Sequence, residues 1–202
     1  MSRPKSFDPE IALQNAMQVF WLHGFEATSI QMLLDAMGIE RFSLYSTFGD
    51  KRSLFLAALG LYDRSTDENI LQPLLTNPDG QAALEEVLLK RVPQNVFGDH
   101  NFRGCLLINM LIEQGPHDRE LRDFGNKQQQ RLFDALLAAC ERVHARGGLR
   151  PNLSAFDAAS LVQSVMQGVV VKARSGQTLS TLRRTMQVAL QGIFADSPAL
   201  ST

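Results

Sequence analysis

The sequence predicts an all-α protein of about nine helices, three short ones in a small N-terminal domain (1–53) and the rest in a larger C-terminal domain (54–202). Three observations lead there. Apolar residues recur at three- and four-residue spacing along nearly the whole chain, and strand-type alternation is nowhere sustained. Glycines at 24 and 38 punctuate the first 50 residues into short segments, as helix stops do. At 202 residues and 45% hydrophobic, the chain has enough apolar material for a real core, and its composition argues against disorder.

The elements follow in order. Asp8 and Pro9 form an N-cap and first-turn pair, and Ile11, Ala16, Val19 and Phe20 repeat at helical spacing until Gly24. Thr28 and Ser29 can cap a second helix that turns Ile30, Leu33, Leu34 and Met37 inward, with Gly38 as its left-handed stop. About three connecting residues later the chain turns helical again, anchored by Leu44 and Phe48. Asp50 caps a long amphipathic helix through Leu54, Phe55, Ala58, Leu59 and Tyr62, which runs towards Leu75 and ends at the turn TNPDG (76–80). Further helices are expected at about 81–92, 105–114 and 119–146. The last of these carries Leu121, Phe124, Leu132, Leu136, Cys140 and Val143 in one stripe. GGLRPN (147–152) breaks the chain, and Ser154 with Asp157 opens a helix to about Lys172. Leu179 to Phe194 forms the last. There is no internal repeat.

Two short helices joined by a tight glycine turn are the helix-turn-helix arrangement, whose second helix offers its first residues to base edges in the major groove. On that reading Arg41 can fork onto a guanine, Ser43 and Ser46 can bond bases or phosphate, and Tyr45 and Thr47 can reach the backbone. Lys51 stands at the start of the next helix, where free amides already favour a phosphate. Bulk charge gives no help. The net charge is −1, and up to residue 60 five cations (Arg3, Lys5, Arg41, Lys51, Arg52) face six acids (Asp8, Glu10, Glu26, Asp35, Glu40, Asp50). A nucleic-acid role must rest on where the cations stand.

The stretch GFEATSIQMLLDAMGIERFSLYSTFGDKRSLFLAAL (24–59) resembles the DNA-binding signature of the TetR family of bacterial repressors, from its Gly-Phe and Thr-Ser pairs to Leu-Tyr, Phe-Gly and Lys. The likeness covers about 50 N-terminal residues. It implies a homodimer that binds a palindromic operator DNA with its N-terminal helices and a small-molecule inducer with its C-terminal ones. It also implies DNA contacts at Thr28, Ser29, Gln31, Arg41, Ser43, Tyr45 and Lys51. The chain departs from the family pattern at Glu40, where a small polar residue is usual, and at Phe42, where glycine or proline is frequent.

RGCLLINMLIEQG (103–115) is the second informative stretch. Cys105, Asn109 and Glu113, four apart, share one helix face and are expected to orient a ligand in a pocket. A first-turn position next to Arg103 lowers a thiol's pKa and raises its reactivity, which makes Cys105 a candidate sensor, while the commoner fate of a lone thiol is a small buried hydrophobe. The Gly-Cys-Leu start resembles a TetR-family branch that answers reactive electrophiles through a cysteine at this place, and Lys172 falls near that branch's reactive lysine. Cys140, mid-stripe, reads as a small core hydrophobe. Ala158, Leu161, Val165, Gly168 and Val169 on one helix, with Leu182, Met186, Ala189, Leu190 and Ile193 on the next, suit a four-helix dimer interface and equally a monomer core, and the resemblance favours the interface.

Other classes find little support. His23, His100, His117 and His144 lack metal-ligand spacing, two cysteines without a CxxC make no disulfide framework, and no cofactor motif or catalytic constellation stands out. No enzyme activity is expected. No apolar run reaches the roughly 18 residues of a membrane span, and MSRPKSFDPE has no signal-peptide character, so a cytoplasmic place is expected. The alternative from another class is an all-helical small-molecule binder or enzyme that does not act on DNA.

Overall fold

The computed structural model describes residues 7–97 and 103–195, so the expectations for Arg3, Lys5 and His100 fall outside the described residues. Among those residues there are nine helical runs and no strand, only an isolated antiparallel bridge between Leu149 and Phe194. Helix α1 (Pro9–His23) starts where the Asp8 carboxylate accepts the Glu10 N–H at 2.8 Å and ends at Gly24. Helix α2 (Ile30–Met37) is capped by Ser29, whose hydroxyl oxygen accepts the Met32 N–H at 3.1 Å, and closes on Gly38 at φ 64°. Two residues later α3 begins (Arg41–Phe48), with Glu40 at its N-cap making no side-chain cap bond. Helix α4 (Lys51–Thr66) is opened by Asp50, which accepts the Ser53 N–H at 2.7 Å.

The path of α4 continues through a π-helical turn (Asp67–Leu71) into Gln72–Thr76. Helix α5 (Gly80–Glu86) runs likewise through a π turn (Val87–Arg91) into Val92–Phe97, five residues past the expected end. Helices α6 (Leu106–Glu113), α7 (Arg119–Ala145), α8 (Ala155–Arg174) and α9 (Leu179–Ile193) complete the chain.

The protein divides into two compact units, and the division differs from the expected boundary at 53/54. One unit is Met1–Ser65 together with Cys105–Gly125, and the other is Thr66–Gly104 together with Asn126–Thr202. The reason lies in the first unit's core. Leu54, Phe55, Ala58 and Leu59 of α4 and Leu106, Leu107 and Met110 of α6 are buried in the same cluster as Phe20, Leu33, Leu34 and Leu44. Cutting after residue 53 would expose that apolar surface, at about 25 cal/mol per Å². Phe20, Phe25 and Phe55 meet at centroid distances of 4.9 to 6.3 Å, and Trp21 meets Tyr62 edge-on at 5.0 Å. Ile11, expected inward, is exposed, and Ala12 and Met17 take its place in the core.

In the second unit α7 buries Leu136, Cys140 and Val143 as the stripe predicts. The Asp67 carboxylate, in the first π turn, accepts two hydrogen bonds from Arg131 at 2.5 and 2.6 Å. The small-and-apolar faces expected at a dimer interface are largely interior instead. Ala158, Val169, Leu182, Met186, Leu190 and Ile193 are buried within the protomer, leaving Leu161, Gly168, Val171 and Val188 exposed on α8 and α9. Here four-residue spacing marks the core face of each helix and not a second, outer face.

Candidate nucleic-acid interface

Leu44 is fully buried, and it fixes how α3 faces the solvent. At about 100° per residue, Phe42 lies roughly 200° around the helix from Leu44, with Tyr45 and Ser46 beside it. All three are exposed, as is Arg41 at the helix start. Ser43, about 100° from Leu44 on the side opposite Tyr45, is half-buried, and its carbonyl accepts the Ser46 hydroxyl at 3.2 Å. The outward face is therefore centred on Phe42, Tyr45 and Ser46 and flanked by Arg41. Phe42 was absent from the residues nominated for DNA contact. Its spacing from the Leu44 anchor is the signal that finds it.

The other nominated residues fall into three groups. Ser29 and Gln31 are exposed at the start of α2, where Ser29 also caps the helix and the Gln31 amide donates to Asp35 at 2.8 Å. Thr28 is corrected. It is 1% exposed, and its hydroxyl donates to the Gly24 carbonyl at 2.5 Å, so its side chain shapes the turn before α2 and its hydroxyl proton is already engaged. Lys51 is held in place. Its ammonium lies 4.5 Å over the Phe25 ring and donates to the Glu26 carbonyl at 3.4 Å, at the N-terminus of α4. The cation thus stands beside the turn entering α2.

Arg52, left open in the sequence, has a structural partner set. Its guanidinium donates to Asp118 at 2.9 Å and to Glu120 at 2.7 Å. These bonds raise its own pKa, and its hydrogen bond to Asp118 lowers that carboxyl's below the usual value. Asp118 in turn caps α7 by accepting the Leu121 N–H. The charge of Arg52 is engaged inside the unit, which leaves Arg41 and Lys51 as the cations of this face among the described residues.

The three residues expected to orient a ligand sit in the same unit as α3. Glu113 is corrected: its carboxylate accepts the N–H groups of Phe25 and Glu26, each at 2.9 Å, and so ties the end of α6 to the α1–α2 turn. Gln114 adds a bond to the Glu26 carboxylate at 3.2 Å. Cys105 is the N-cap of α6 and half-buried, with the Tyr62 hydroxyl donating to its Sγ at 3.2 Å. Burial pushes the thiol's pKa above the ordinary value, more than the Tyr62 hydroxyl and the Ile108 and Leu107 amides pull it down. This reverses the expected lowering. Asn109 is half-buried. The surface depressions at Arg150–Leu153 with Gly192, and along Ser180, Arg184 and Val188, involve none of the three. Lys172 is exposed in the last turn of α8. No group of three or more His, Cys, Asp or Glu able to hold a metal occurs among the described residues.

The family described as bacterial regulatory proteins, tetR family, matches residues 12–58, which run from α1 into α4. The chain is similar to the HTH-type transcriptional repressor ComR of Escherichia coli (strain K12), 32% identical over 93% of this chain and 88% of that protein. It is 36% identical to the uncharacterised HTH-type transcriptional regulator YezE of Bacillus subtilis (strain 168), over 74% of this chain and 76% of that protein. The chain belongs to the tetR family. Among solved structures, the TetR family regulator CifR, a cysteine mutant complexed with a 26-bp double-strand operator DNA, matches with a TM-score of 0.83 at 28% identity, covering 95% of this chain and 100% of that one. These relatives are transcriptional regulators, not enzymes. Within the tetR family fold, α2 and α3 are the helix-turn-helix. No helix among the described residues is long and apolar enough to cross a membrane.

Proposed function

We propose that the protein is a repressor that binds a palindromic operator as a homodimer and is released by a small-molecule inducer or electrophile, in the cytoplasm of a bacterium. The observation that carries this reading is the outward face of α3, where Arg41, Phe42, Tyr45 and Ser46 are exposed together on a helix anchored by Leu44. ComR and BdcR, similar over 93% and 95% of this chain, are named repressors, and the CifR structure holds operator DNA. On this reading Arg41 takes a guanine edge, Tyr45 and Ser46 reach bases or backbone, and Ser29, Gln31 and Lys51 hold phosphates that set the register. The exposed apolar residues Leu161, Val171 and Val188 of α8 and α9 supply the dimer contact.

Release works through α6. Cys105 stands at its N-terminus and Glu113 at its C-terminus, and Glu113 holds the turn that aims α2. A ligand or adduct at Cys105 that displaces α6 by a fraction of its length, about 12 Å for eight residues, loosens those two bonds and lets α2 and α3 leave their register. Fluorescence anisotropy against DNA from immediately upstream of the protein's own gene tests both parts. Salt-sensitive binding of two protomers per site is expected, weakened by alkylation of Cys105. Absence of binding at any salt to that DNA and to a random-sequence pool rejects the repressor reading. Unchanged affinity after complete alkylation rejects the thiol route alone.

A further inference from the structure

Phe42 is 81% exposed, the most exposed large apolar residue among those described, and it occupies the second position of α3. Nothing in helix formation calls for a phenyl ring there, since phenylalanine is a middling helix former and the ring touches no core. It stands between Tyr45 and Ser46 on the face that faces away from Leu44. A large ring in that place is favourable when a partner covers it.

The partner's chemistry follows from what the major groove contains. Guanine, adenine and cytosine present hydrogen-bonding groups at their major-groove edges, which a phenyl ring would strip of water without replacing a single bond. Thymine alone adds an apolar group, its C5-methyl. The first residues of a recognition helix are the ones that reach base edges. We infer that Phe42 selects a thymine in each half-site by packing its ring against the C5-methyl group. The inference rests on the operator-binding reading above and adds a base preference to it. Arg41 beside it supplies a charged, hydrogen-bonding contact, so one turn of α3 reads a polar and an apolar base feature side by side.

The test removes the methyl groups one at a time. In a duplex that the full-length protein binds, each symmetry-related pair of thymines is replaced by deoxyuridine, which keeps the pairing edge and deletes only the methyl. Wild-type protein should lose affinity at one pair, about fourfold per half-site and roughly 15-fold for both, the effect of one methyl-sized contact each. Phe42→Ala should bind the unsubstituted duplex more weakly by a similar factor and respond less than twofold to the same replacement. Phe42→Leu should keep the response, and Arg41→Ala should lose affinity while keeping it. The ring is exposed, so the thermal unfolding of Phe42→Ala should match wild type.

Indifference of the wild type to every deoxyuridine replacement overturns the inference, as does an undiminished response in Phe42→Ala. An altered sedimentation mass for Phe42→Ala with the methyl response intact would assign the ring to a contact between copies and overturn it too. Failure of the wild type on all unsubstituted DNA is a separate outcome, seen before any replacement is made, and it rejects the operator reading itself together with this one.

Discussion

Single residues decide how well this helix-turn-helix is suited to DNA, and Glu40 works against it. It holds the N-cap of α3 without making a cap bond, and on the operator-binding reading its negative charge would repel a phosphate there. Glu40→Ser removes the charge and supplies a hydroxyl that can accept the N–H at the third helical position. Stability should rise by about 0.5–1 kcal/mol, read from thermal unfolding. Operator affinity should tighten about fivefold, since two protomers each lose a repulsion of about 0.5 kcal/mol. A weaker complex would show that Glu40 accepts a hydrogen bond from a base. The cysteines give a second prediction at this scale. The thiolate is the nucleophile, and a raised pKa leaves less of it at any pH below that value. Cys105 should therefore react with iodoacetamide more slowly than a free cysteine near neutral pH, with a rate still climbing where a free cysteine has levelled off. Tyr62→Phe deletes the donor that favours the thiolate and should slow the reaction further. Cys140, fully buried with its thiol pushed up to about 12, should react only on unfolding.

At the scale of elements, the informative contact is between α6 and the α1–α2 turn. Gly24 at φ 82° begins that turn, and a Cβ there would meet the Glu113 carboxylate oxygens at 2.8 and 2.9 Å. The turn has thus been narrowed to let the carboxylate reach two backbone amides. Glu113→Ala leaves both N–H groups without their charged acceptor and should cost about 1–3 kcal/mol in unfolding free energy. Hydrogen exchange at Phe25 and Glu26 should speed up more than exchange in the α9 helix, because the loss is local. Equal acceleration throughout would mean that Glu113 only adds to global stability. This element pair also shows what could be read in advance. Asp8, Ser29, Asp50 and Ser154 cap helices through groups within three residues of themselves, so their roles are legible in the sequence. Glu113 and Phe25 are 88 residues apart, as are Gln114 and Glu26, and no local pattern encodes such a pairing. Of the polar positions 105, 109 and 113, the first and last make contacts within the first unit, Cys105 with Tyr62 and Glu113 with the α1–α2 turn. On α3 the anchor Leu44 was legible. The outward face was missed because polar residues were counted, whereas the angle from the anchor includes Phe42.

For the whole molecule the difficulty is a net charge of −1 in a protein proposed to bind a polyanion. Placement resolves it. Arg52 is neutralised by Asp118 and Glu120, Glu26 and Glu113 are bonded to amides or side chains within the unit, and Lys51 and Arg41 remain, among the described residues, on the face proposed to meet DNA. Affinity for DNA should then depend on few phosphate contacts, each releasing counterions, so that log affinity falls with log salt by about 0.9 for every phosphate neutralised. Lys51→Ala in a dimer removes one such contact per protomer. Its plot should be shallower by about 2, with equal weakening on specific and random DNA, because a phosphate contact carries no sequence information. Arg41→Ala should instead compress the gap between operator and random DNA while changing the slope less, since its partner is a base edge. The two variants exchanging these signatures would show that Lys51 reads sequence and Arg41 the backbone, and would require α3 to enter the groove rotated about its axis.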